Sequence, residues 1–137
     1  MAADIERAAF EKFGKWLVEN VRDYAIRDSD RMLEEPPETA AYSRWLYERL
    51  SSELNDEQRK LVLYLIPQIV DAALHHLLWS LGETDWIDVG VRVDSREAHI
   101  LSGTGEVMKG RLFEWIRDFS KQRFDYLDDA DSFLPEI

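Results

Sequence analysis

The side chains best suited to holding an ion or moving a proton lie in one stretch. Asp71 and His75 stand four residues apart, with His76 adjacent. On a helix, i,i+4 spacing puts two ligands on one face, the arrangement used by helical metal sites. A third ligand has to come from elsewhere, and His99 is the candidate. His76 points about 100° away from His75, so the two adjacent histidines do not easily share one ion. The plainer alternative is an Asp–His hydrogen bond on a polar stripe. A small metal-dependent enzyme built on Asp71, His75 and His99 is therefore one functional expectation, and it is not the leading one.

Other chemical patterns are weaker. Ser102-Gly103-Thr104-Gly105 has the composition of a loop that could cradle phosphate at a helix N-terminus. A P-loop needs a longer glycine frame ending in Gly-Lys-Ser/Thr, which Lys109-Gly110-Arg111 does not supply. Neither a Gly-x-Ser-x-Gly elbow nor a His-Glu-x-x-His pair occurs. The carboxylates are too many for any pair to stand out as an acid and a base. The sequence thus points away from an enzyme and names no cofactor.

Composition narrows the class of partner. The 137 residues carry a net charge of −11, which repels nucleic acid and anionic membranes and would steer the chain towards a basic surface. Hydrophobic residues at 45% and aromatics at 12% are enough for one packed domain. The absence of cysteine excludes disulfides, thiolate metal sites and a cysteine nucleophile. The charged start, MAADIERAAFEKF, does not read as a signal peptide, and no run reaches about 18 uninterrupted apolar residues. A cytoplasmic protein with no membrane partner is expected.

These residues have to be positioned by helices. Phe10, Phe13, Leu17, Val21 and Tyr24 recur at three- and four-residue spacing, predicting a helix over 4–35 with Asp4 as N-cap and Pro36-Pro37 as its stop. A second helix is predicted over 38–50, with Tyr42, Trp45, Leu46 and Leu50 on one face. The third, 55–82, is the longest. Asn55 and Gln58 form its capping box, Pro67 should bend it, and Gly82 should end it in a left-handed cap. Its polar residues Lys60, Tyr64, Gln68, Asp71, His75 and Trp79 lie along one stripe, so the helix should be touched on three sides and present that seam to water or to a partner.

Beyond Gly82 the pattern alternates. Ile87, Val89, Val91 and Val93 share one face of a strand, 94–97 turns, and 98–101 returns, giving a hairpin near 86–101. A last helix is predicted over 107–123, with Leu112, Trp115, Ile116 and Phe119 inward. The tail 125–137 holds Asp125, Asp128, Asp129, Asp131 and Glu136 and no basic residue. The expected fold is mainly α (α+β), about four helices around a long central helix with one β-hairpin, in a single domain over 1–124.

Four features between about 55 and 120 carry a resemblance. They are Leu54-Asn55-Asp56-Glu57-Gln58, then Val70-Asp71…His75-His76…Leu78-Trp79, then Ile100-Leu101-Ser102-Gly103, and last Trp115-Ile116-Arg117-Asp118-Phe119-Ser120. Their order resembles a group of small bacterial and phage-associated proteins of unknown function. The resemblance implies a helical domain with a small hairpin and no reaction.

Small size, acidity and surplus aromatics favour a protein that binds and inhibits another protein, most concretely an immunity protein or antitoxin facing a basic toxin. Tyr64, Gln68, Asp71, His75, Trp79, Trp86, Asp128 and Asp129 are the candidate contacts. Self-association as a homodimer is the remaining expectation.

Overall fold

The computed structural model describes residues 2–38, 41–100 and 105–122. Residues 101–104 and the acidic stretch 123–137, with Asp128 and Asp129, lie outside the described residues. The chain is mainly helical, with one two-stranded hairpin, and its longest helix is the expected one.

The first helical rod has three parts: α1 (Ala2–Trp16), a π-helical turn (Leu17–Arg22) and α2 (Asp23–Glu34). The residues at both joints are right-handed helical, so the rod continues through the turn. Its signature is the Asp23 amide donating to the Val18 carbonyl five residues back. A π turn inserts one extra residue and rotates everything beyond it about the axis. The predicted inward face therefore fails halfway. Phe10, Phe13 and Leu17 are buried, but Tyr24 is exposed, and Val18, Arg22 and Ile26 take the inner positions. Asp4 lies in the first turn, not at the cap, because the helix already begins at Ala2. Glu35 is extended and ends the rod before Pro36, as proline geometry requires.

After it, α3 (Ala41–Glu53) runs three residues past its predicted end and buries none of its residues. Next, α4 (Asp56–Glu83) opens with the predicted capping box. The Gln58 amide donates to Asn55 Oδ1, and the Asn55 amide donates to Gln58 Oε1, both at 2.9 Å. The helix runs through Pro67 and past Gly82, and Thr84 is its extended C-cap, so glycine does not terminate it. At 28 residues it is about 42 Å long.

The strands β1 (Gly90–Val93) and β2 (Arg96–His99) pair antiparallel, with Val91 opposite Ala98 and Val93 opposite Arg96. The turn is only two residues, Asp94 and Ser95, with φ of 47° and 64°. A two-residue connection with both φ positive matches the twist of the strands it joins, and it leaves Arg96 and Glu97 free to enter β2 instead of turning. Ile87, Val89, Val91 and Val93 all pack on the core, as their alternation predicted. Finally, α5 spans Gly105–Phe119.

One core joins α1, the π turn, the second half of α4, the hairpin and α5. It contains Ala9, Phe10, Phe13, Leu17, Val18, Leu74, Leu78, Ala98, Ile100, Leu112, Trp115 and Ile116. At its centre the Trp115 ring meets Phe10 at 4.9 Å and Phe13 edge-on at 6.2 Å, the tilted geometries that aromatic quadrupoles favour. Neither α3 nor the first half of α4 contributes a residue to this cluster.

Candidate functional site

Among the described residues the buried charged side chains, Arg22, Asp23 and Asp71, gather in one cluster, and the rotation at the π turn creates it. Arg22 is fully buried, and its guanidinium grips Asp71 of α4 by two bonds, Nε to Oδ1 at 2.6 Å and Nη2 to Oδ2 at 3.2 Å. Its Nη1 donates to Ser120 Oγ at 2.8 Å and lies 3.4 Å from Asp23 Oδ1. Asp23 in turn accepts from the Ser120 hydroxyl at 2.7 Å and from the Lys121 amide at 2.8 Å. A buried charge survives only when paired and hydrogen-bonded, and each charge here is. The cluster clamps the rod, α4 and the end of α5 together at one point. A shallow cleft of about 290 Å³ lies over it, lined by Glu19, Asn20, Asp23, Tyr24, Arg27, Lys121 and Gln122.

The metal candidates are not brought together. Both carboxylate oxygens of Asp71 face Arg22. His75 is half-buried and meets the ring of His76 edge-on at 6.0 Å. His99 sits exposed on β2, where its Nδ1 pairs with Asp88. Among the described residues no group of three or more His, Cys, Asp or Glu side chains is placed to hold an ion.

The polar seam of α4 is also differently disposed from the sequence expectation. Pro67, Asp71, Leu74 and Leu78 form the buried side, so Asp71 lies inside and cannot be a surface contact. Tyr64 and His75 are half-buried at the edge of that side, while Gln68 and Trp79 are exposed. The helix is covered along one side only. Its outward side is largely apolar, with Gln68, His76 and Ser80 interspersed: Leu61 is 60% exposed, Leu65 50%, Ile69 58%, Leu77 45% and Trp79 45%. In length and composition α4 would suffice to cross a membrane, with a mean hydropathy of 1.5 over an 18-residue window that is 22% buried. A soluble core helix of this composition would ordinarily be covered. Tyr42 and Trp45 on α3 are exposed too, their rings 5.8 Å apart.

A second surface feature follows α4. Trp86 is 81% exposed, the most open large apolar side chain among the described residues. Glu83, Asp85 and Asp88 flank it in sequence and are exposed, while Ile87 between them is held against the core. An anchored stretch thus carries an exposed indole between acidic sequence neighbours, of which Asp88 is paired with His99. On the other side of the hairpin, Lys12 donates from Nζ to the Arg92 carbonyl at 2.7 Å and ties α1 to β1 beside an apolar cleft lined by Phe13, Trp16, Val89 and Val91.

Sequence reasoning missed Arg22, Asp23 and Ser120. One signal was available: Val18, Arg22 and Ile26 repeat at four-residue spacing, a frame offset from the one set by Phe10, Phe13 and Leu17. Val18 and Ile26 make that second frame apolar on either side of Arg22, and two competing frames in one helix mark a slip between them. Comparison with protein-family models, curated proteins and solved structures yields no match.

Proposed function

We propose that this chain is a protein-binding, inhibitory protein, most concretely an immunity protein or antitoxin that covers a basic site on a toxin. The observation that supports this is the exposure of Trp86 among Glu83, Asp85 and Asp88. Tryptophan is enriched among the residues that dominate binding energy, and leaving one in water has no folding benefit. The acids around it would draw in a cationic partner and set the association rate, in keeping with the net charge of −11. Of the contacts expected from sequence, Trp79 and Gln68 remain accessible, while Asp71 serves the interior instead.

The test is titration calorimetry against any basic toxin found encoded beside this gene, backed by a nuclease-inhibition assay where that toxin is a nuclease. Trp86→Ala should weaken binding by about 30-fold or more, as removal of a hot-spot residue does. Asp85→Asn should slow association and reduce its salt dependence. Absence of any basic partner, or full affinity in both variants, would refute the proposal.

A further inference from the structure

We propose that two copies of this chain associate through the outward face of α4, packed antiparallel about a two-fold axis at Ala72. This goes beyond the binding function assigned to Trp86 and uses a different surface, to which Trp79 then belongs instead of to the partner-binding surface. Leu61, Leu65, Ile69, Ala72, His76 and Trp79 follow one another at three- and four-residue steps, so they form a single line along the helix. Every one except His76 is apolar, and the large ones are 45–60% exposed. An apolar strip running for about 27 Å along one helix is larger than a lone chain ordinarily leaves in water.

The identity of the occupant follows from charge and shape. Between Glu57 and Glu83 this line carries no carboxylate, so it offers nothing to a basic partner. A bilayer is an unfit occupant as well. The charged helix α2, with Asp23, Arg27, Asp28, Asp30, Arg31 and Glu34, packs alongside α4 and would be drawn into hydrocarbon with it.

A second copy fits because the stretch 65–79 of this line is symmetric in bulk. Leu65 lies seven residues before Ala72 and Trp79 seven after it. In an antiparallel pair, Leu65 then packs on Trp79 of the second copy, at both ends of the contact. Ile69 falls beside His76 of the second copy. At the crossing itself stand Ala72 and Ala73, both exposed and small enough for the helices to approach to the 8–10 Å of ordinary helix packing. The contact is isologous, the same patch on both copies, and so it closes at two.

Sedimentation equilibrium on the full chain should give a mass near twice 16.1 kDa at micromolar concentration. Association should strengthen with added salt, which screens the −11 on each copy, whereas binding of a basic partner at Trp86 should weaken. Leu65→Glu should return the monomer with an unchanged circular dichroism spectrum, and Trp86→Ala should leave the dimer intact. The chain has no native cysteine, so cross-links report geometry without background. Under oxidation Ala72→Cys should link two copies. Leu61→Cys should not, because the antiparallel arrangement holds the two positions about 33 Å apart. A 16.1 kDa species at all concentrations up to several hundred micromolar, or a dimer that survives Leu65→Glu, would overturn the proposal.

Discussion

Arg22 reaches from the first helical rod to Asp71 of α4 and binds both of its carboxylate oxygens, at 2.6 and 3.2 Å, with the guanidinium fully shielded from water. The pair fixes which side of α4 faces inward. Breaking it by removing one partner leaves an uncompensated buried charge, so Arg22→Ala and Asp71→Ala should each cost about 3–5 kcal/mol. Urea unfolding would measure this. Joint replacement by Met and Leu should cost less than the sum of the two single changes, since the double variant strands no charge.

Gly14 shows a close approach that composition hides. A Cβ placed there would lie 2.3 Å from the Trp115 ring, while one on Gly110 would meet nothing within 4 Å. Two Gly→Ala changes in helices should therefore have opposite signs. Gly14→Ala should destabilise by roughly 1–3 kcal/mol through overpacking, and Gly110→Ala should stabilise by about 0.5–1 kcal/mol through helix propensity. Thermal melts of the two variants side by side would settle it.

The Asn55–Gln58 box satisfies two of the donors left open at the start of α4. Asn55→Ala should cost about 1 kcal/mol and Asn55→Asp much less. Amide exchange at Gln58 should speed up in the first variant only.

At the hairpin, Asp94 and Ser95 hold positive φ without being glycine. Replacing the pair with Asn-Gly, the residues best suited to a two-residue turn of this hand, should stabilise by a few tenths to about 1 kcal/mol. A denaturation midpoint that fell instead would show that the Asp94 or Ser95 side chain matters to the turn.

The helices and the hairpin were legible because their signals are local. The Asn55–Gln58 spacing, the Pro36-Pro37 stop and the alternation from Ile87 to Val93 each depend on neighbours a few residues away. What was lost lies between elements. The π turn at Leu17–Arg22 moves Tyr24 outward and Arg22 inward, and a fixed 3.6-residue period cannot anticipate that slip. Polarity also misled at α4. Asp71 looked like a surface residue because its partner, Arg22, lies 49 positions away, and Leu61, Leu65 and Ile69 looked buried because they are apolar. Burial is decided by which side finds a partner, and only tertiary packing reveals it. The same limit applies to the site: Trp86 could be named from sequence, but its exposure could not be derived there.

The most direct measurement is thiol reactivity along α4 in single-cysteine variants at nanomolar concentration, where any self-association is diluted away. Leu61→Cys, Leu65→Cys and Ile69→Cys should react at close to the rate of the unfolded chain. Leu74→Cys and Leu78→Cys should react at least about a hundredfold more slowly, as residues exposed only on opening the core do. Slow reaction at the first three positions, or fast reaction at the last two, would contradict an α4 that is held on its Asp71 side and open on the other.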